Sequence, residues 1–262
     1  MPRLTGLSPQ REQQLQERLL LQMSRKYENA YRDEIRRAML DIGRSELRGA
    51  PGEADQKHRD NMSGSLLREY NDAFDLFGNR ILDAAGKRWH ALERKFEEVP
   101  ITEEFDRRRQ AWIAQWSGNK ITQVTNTTHQ QVMRIVREVQ EQAIAQGLGE
   151  AATARLLGEA MRESGAVLSS SRARTISRTE GHAASGAANR EAAKSTGIVK
   201  QKEWVASAGE RTREDHDIAD GQRVDLDVAY SVGGESLMEP GDPAGSAEQV
   251  INCRCVSIFH TD

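Results

Sequence analysis

The chain has 262 residues and a formal net charge of −3, with 29% charged, 37% hydrophobic and only 5% aromatic residues. That length holds one large domain or two modest ones, and the polar composition favours helices. No run of about 18 apolar residues occurs, which excludes a helical membrane span. The opening Met-Pro-Arg-Leu-Thr-Gly lacks the apolar core of a secretory signal. A soluble cytoplasmic product with its two cysteines reduced is therefore expected.

Ser8-Pro9 reads as an N-cap followed by proline in the first turn. Apolar residues then recur, mostly in four-residue steps, at Leu15, Leu19, Met23, Tyr27, Tyr31, Ile35, Met39 and Ile42. They mark one stripe on a helix about 60 Å long, which ends at Gly49-Ala-Pro-Gly52. A second stripe runs through Leu66, Tyr70, Phe74, Phe77, Ile81, Ala85, Trp89, Leu92 and Phe96, and Pro100 stops it. The short turn between the two predicts an antiparallel hairpin. Stripes this narrow predict helices that need partners to bury them fully.

Thr102-Glu-Glu caps a third helix that breaks at Ser117-Gly118-Asn119 and resumes from Ile121 to Gly147. A short helix over 151–161 and a longer one over 169–194 follow, with Gly197 as the stop. Ala183, Ala184, Ala187, Ala188 and Ala192 give the longer helix a small-residue face suited to close packing. Beyond it the texture changes to a strand over 199–206, a short helix over 213–219 and a second strand over 222–226. A loop over 233–245 and a last strand over 253–259 complete the chain. The fold class is mainly α with a small C-terminal α+β module. A long N-terminal helical hairpin or arm leads into a helical bundle and a short β-sheet carrying the C-x-C. The expected domains are an arm over 1–118 and a second domain over 119–262, with helices to 197 and the α+β module from 198.

Both cysteines sit in one C-x-C, Cys253 and Cys255, and His216 lies in the same compact segment. Thiolate and imidazole are zinc ligands, and a structural site usually has four. Residues 253 and 255 share one face of a strand, and His182, Asp217 and His260 are candidates for a fourth ligand. Three readings stay open: a zinc site on His216, Cys253 and Cys255, a buried histidine beside two free thiols, and a strained disulfide. Arg211, Arg213, Asp215, His216 and Asp217 also supply the residue types of a metal-dependent nuclease or hydrolase. No P-loop, G-x-S-x-G, H-E-x-x-H or dinucleotide fingerprint occurs. Glu180 reads as a buried partner for an arginine. Single histidines at His58, His90 and His129 read as surface or packing residues. The most basic stretch, from Arg172 to Lys202, makes Arg172, Arg174, Arg178, Arg190 and Lys194 the candidate DNA contacts. The competing reading is a solvated helix face.

Arg174-Thr-Ile-Ser-Arg-Thr-Glu180, Lys202-Glu-Trp204, Arg211-Thr-Arg213, His216, Asp220-Gly221, Pro240-Gly-Asp-Pro243 and Asn252-Cys-Arg-Cys255 occur in this order. The series resembles the phage Mu protein F-like family of minor head proteins, the phage head morphogenesis domain, over roughly 121–255. The resemblance implies a non-enzymatic virion component of a tailed phage or prophage, present in few copies near the portal vertex or capsid interior. The implied partners are portal, major capsid or scaffold protein, packaged DNA and further copies of this chain, with no membrane. His216, Cys253 and Cys255 match residues that recur together in the family. The domain also occurs fused to toxin domains, and no such passenger is expected after the C-R-C of this chain. Gly181-His182 departs from the family pattern, in which a Thr or Ser and an Asn often follow the Arg-Thr-Glu.

Overall fold

The computed structural model describes residues 2–50, 52–91, 101–207, 209 and 212–261. The expected stripe positions Leu92 and Phe96, the stop at Pro100 and the site candidate Arg211 lie outside the described residues, as do the side chains of Trp89 and His90. The helices are α1 (Pro9–Leu47), α2 (Glu53–Ala73), α3 (Asn79–Ala91), α4 (Ile101–Ala145) and α5 (Glu150–Thr196), and a π-helical turn, Phe74–Gly78, joins α2 to α3. Then follow β1 (Val199–Val205), α6 (Glu214–Ile218), β2 (Arg223–Asp225), β3 (Tyr230–Val232), β4 (Glu235–Leu237), α7 (Ala247–Val250) and β5 (Val256–Thr261). The class is the one the sequence predicts, mainly helical with a small antiparallel C-terminal sheet that the C-x-C leads into.

Ser8 begins α1 as expected, its hydroxyl accepting from the Arg11 amide at 3.3 Å. The chain forms two compact units, each assembled from separate stretches. The first comprises Met1–Ser24, Glu69–Gln115 and Arg178–Asp262, and the second Arg25–Arg68 and Trp116–Ser177.

In the second unit α1 and α2 run antiparallel, as the ion pairs Lys57–Asp41 at 3.6 Å and His58–Glu34 at 3.1 Å require. Tyr27, Tyr31, Ile35, Met39 and Ile42 are buried, as are Met62, Leu66, Val132, Val136, Leu157 and Met161. This part of the α1 stripe is therefore covered within the chain, without the partner that its narrowness predicted. Helix α5 is continuous where a break between two helices was expected. Its stripe passes through Leu157, Met161, Gly165, Ser169 and Ala173 in four-residue steps, so small residues hold the inner face where large apolar ones are missing. Helix α4 likewise runs unbroken through Ser117-Gly118-Asn119, because an exposed glycine costs a helix only about 1 kcal/mol.

In the first unit Arg80 reaches Glu12 at 2.6 Å, the same antiparallel pairing of hairpin arms. Phe74, Phe105 and Trp112 form an aromatic cluster with Tyr70 edge-on to Trp112. The Tyr70 hydroxyl donates to Glu180 at 2.7 Å, and both side chains are buried. The sheet has the order β2-β1-β5, all antiparallel, and β3 and β4 form a separate hairpin. Residues 2–4 line the open edge of β5, with the Leu4 amide donating to the Phe259 carbonyl at 2.8 Å and the Thr261 amide to Pro2 at 3.0 Å. That edge is thus closed against pairing with another chain. The expected loop over 233–245 contains β4, because Gly233-Gly234, both at positive φ, make the two-residue turn that pairs Val232 with Glu235.

Two glycines give opposite expectations. A Cβ at Gly78 would lie 2.1 Å from the Phe105 ring, so Gly78→Ala should cost about 1–3 kcal/mol. Nothing lies within 4 Å of a Cβ at the exposed, helical Gly118, so Gly118→Ala should gain about 0.5–1 kcal/mol. Urea unfolding of both variants checks the pair, and equal signs would contradict it.

Candidate metal centre

Three short elements bring His216, Cys253 and Cys255 together. Arg213 opens α6, its carbonyl accepting from the His216 amide at 3.0 Å, and the single turn that follows aims the imidazole inward. Two residues beyond α7, Asn252 holds φ +55, a left-handed conformation that asparagine tolerates better than most residues. The Asn252 amide donates to the Thr179 hydroxyl at 3.2 Å, and the reversed chain then carries Cys253 and Cys255 into β5. All three side chains are buried, at 1%, 3% and 2% exposure. Their ligand atoms lie within 4.8 Å of one another, the one such grouping of three His, Cys, Asp or Glu among the described residues. His216 Nδ1 is 3.3 Å from Cys255 Sγ and 3.6 Å from Cys253 Sγ. Both cysteines are free thiols.

The other face of the imidazole is held as well. His216 Nε2 lies 2.9 Å from Gln249 Oε1, and Gln249 Nε2 donates to Asp215 Oδ2 at 3.2 Å. A Cβ at Gly233 would sit 2.4 Å from Asp215 Oδ2 and 2.5 Å from Gln249 Nε2, so the hairpin turn leaves the space this relay occupies. Trp204 packs edge-on against the His216 ring at 5.4 Å between centroids, with Tyr230 on Trp204 at 5.2 Å. A hydrogen bond from the Cys253 thiol pulls the Cys255 thiol below its ordinary pKa, while that bond and burial push Cys253 up.

The candidates for a fourth ligand are placed differently from one another. His260 is engaged by Glu203 at 2.8 Å, and Asp217 is exposed on α6. His182, on α5, shares a cavity of about 10 Å³ with Cys255, and its Nε2 has no hydrogen-bond partner among the described residues. A Cβ at Gly241 would lie 2.6 Å from its ring, so the Pro240-Gly-Asp-Pro243 loop is pressed against it. Burial lowers the His182 pKa to about 4, with nearby His216 adding to the effect.

The basic run makes contacts within the protein. In the second unit Arg172 donates to the Val124 carbonyl at 3.1 Å, and Arg174 pairs with Glu28 at 3.4 Å. In the first, half-buried Arg178 opens the segment, Arg190 pairs with Glu191 at 2.8 Å and Glu239 at 2.5 Å, and Lys194 pairs with Asp227. Lys202, fully buried in β1, donates to the Met238 carbonyl at 2.5 Å and lies over the Tyr230 ring at 4.9 Å. Burial lowers its pKa to about 8 and raises that of Glu239 to about 7. Gln249 and Gly233 are the site residues that residue typing missed. The Gly233-Gly234 pair was a readable turn signal, whereas a lone glutamine carries none.

Residues 134–258 match the family described as phage Mu protein F like protein. The family is one of phage head morphogenesis proteins. The chain is 39% identical over 89 residues to the uncharacterized protein YqbB of Bacillus subtilis (strain 168), covering 32% of this chain and 29% of that protein. It is also 38% identical over 72 residues to the NAD(+)–arginine ADP-ribosyltransferase EFV of Enterococcus faecalis (strain ATCC 700802 / V583), covering 28% of this chain and 15% of that protein. The aligned stretches therefore span less than a third of either relative. No solved structure matches the chain significantly.

His182 supplies a pH test. Its folded pKa lies below the unfolded value of 6.5, so its contribution to stability is present above pH 6.5 and lost as pH falls toward about 4. Between pH 7 and 4 the wild type should lose up to about 3 kcal/mol relative to His182→Gln. Urea unfolding of both in chelating buffer reads the difference, and parallel pH profiles would remove His182 as the cause.

Proposed function

We propose that this chain is a structural minor head protein of a tailed phage or prophage, acting during head assembly at the portal vertex or capsid interior. The family match over 134–258 carries this reading. The chemistry of the site agrees with it. Phosphodiester hydrolysis by a metal ion needs an open coordination position, whereas the grouping here is one imidazole and two thiols, all buried. These three are fewer than the four ligands of a closed structural site, and it is their burial that speaks against access by a nucleic-acid substrate. No observation favours the nuclease reading. The acidic and carbonyl partners of Arg172, Arg174, Arg190 and Lys194 give the basic run a packing role without DNA.

The proposed partners are head components, portal or capsid protein first among them, met by a folded surface. Tyr27, Tyr31, Ile35, Met39 and Ile42 of α1 are buried, and residues 2–4 are paired with β5, so removing residues 1–98 would strip the core and the sheet edge together. Assembly is therefore tested on the full chain. Quantitative mass spectrometry of nuclease-treated virions should find the protein at a small fixed ratio to portal protein, and deleting its gene should lower the yield of filled heads. Absence from virions together with a normal yield of filled heads would overturn the proposal.

A further inference from the structure

We infer that His216, Cys253 and Cys255 are three of the ligands of a zinc ion, with Gln249 and Asp215 orienting the imidazole. This inference is independent of the role in the phage head. It rests on three features of the geometry. With Zn–N near 2.0–2.1 Å and Zn–S near 2.3 Å, the N···S edge of a tetrahedral site is about 3.5 Å. The two observed edges are 3.3 Å and 3.6 Å. The third edge, between the two sulfurs, lies within 4.8 Å, so one ion can approach all three atoms.

The second feature is the tautomer. Asp215 accepts, so the Gln249 amide nitrogen faces it and the Gln249 oxygen faces His216 Nε2. The proton must then sit on Nε2, which leaves the Nδ1 lone pair directed at the two sulfurs. A metal-bound histidine needs this arrangement: one ring nitrogen donates to an outer group that fixes the ring while the other binds the ion. The third feature is burial. All three side chains are buried, so an ion bound there would be held away from water, and two soft sulfur donors with an imidazole select zinc over calcium or magnesium.

The test uses the full-length protein. Purified under reducing conditions from cells grown with zinc, it should carry about one zinc per chain by elemental analysis, with both thiols unreactive to a thiol reagent until a chelator is added. Metal-free protein titrated with cobalt(II) should give a thiolate-to-cobalt charge-transfer band that saturates at one equivalent. Chelation should lower Tm by about 5 °C or more. Cys253→Ser and Cys255→Ser should each abolish the band. Because those variants can misfold, Gln249→Leu supplies the second measurement, with one equivalent still bound but affinity lower by about 10–100-fold. Reduced, folded wild type that shows no charge-transfer band would overturn the assignment. So would zinc retained in full after both cysteines are replaced. Unchanged affinity in Gln249→Leu would remove the orienting role of Gln249 and Asp215.

Discussion

The first compact unit depends on how closely its C-terminal segment can approach α5. Ala183, Ala184, Ala187, Ala188, Ala192 and Ala193 present almost no side-chain height, and all are buried. At Gly186 a Cβ would lie 2.9 Å from the Pro240 carbonyl oxygen, so the Pro240-Gly-Asp-Pro243 loop rests on the helix backbone itself. Dispersion at that distance is short-ranged and non-directional, and it needs a lock to set register. The Arg190–Glu239 ion pair, with Arg190 also meeting Glu191, supplies one. Asn189 supplies another by donating to Gln16 at 3.0 Å, while Gln16 in turn donates to Glu12 at 2.7 Å. A larger residue on the alanine face would lift the loop from the helix and separate these polar partners while they are still buried. The cost would then be unsatisfied charge as well as lost contact.

That arrangement accounts for how much of the fold was legible. The four-residue stripe of α1 and the alanine face of α5 are periodic, and periodicity survives without knowledge of what lies opposite. The continuity of α5 through 162–168 was hidden because Gly165 and Ser169 fill inner positions that a hydrophobic count leaves blank. The break expected at Ser117-Gly118-Asn119 failed for the opposite reason. Local breaker residues are weak beside the 45-residue helix in which they sit. Burial of the stripes was misjudged because composition reports how apolar a face is, and says nothing of how many faces meet.

The candidate site divides in the same way. His216, Cys253 and Cys255 are legible as residue types, and their order along the chain matches a family pattern. Their convergence depends on Asn252 turning left-handed and on α6 being a single turn, neither of which spacing encodes. Asp215 was legible only as a residue type suited to a nuclease and Gln249 not at all, and their action through His216 needs coordinates. The basic run was legible as charge and illegible as function. Arg190 and Lys194 meet Glu239 and Asp227 across 49 and 33 residues of sequence, respectively.

The same geometry explains why a metal would matter to this module. Among the described residues from 198 on, the largest fully buried apolar side chains are Trp204, Tyr230 and Leu237, and the elements that carry them are strands of three to seven residues. Elements so short bury little area each and hold their register poorly without a cross-link. His216 of α6 and Cys253 lie 37 residues apart in sequence and meet in the site. An ion bound there would close that loop in the folded state alone. It would also fasten the Trp204 face of β1, which packs on the same imidazole, to the start of β5, which pairs with β1 in the sheet. The sheet, the hairpin and the α5 contact would then share one anchor, set in the hydrophobic cluster that Trp204, Tyr230 and Leu237 form with the two cysteines.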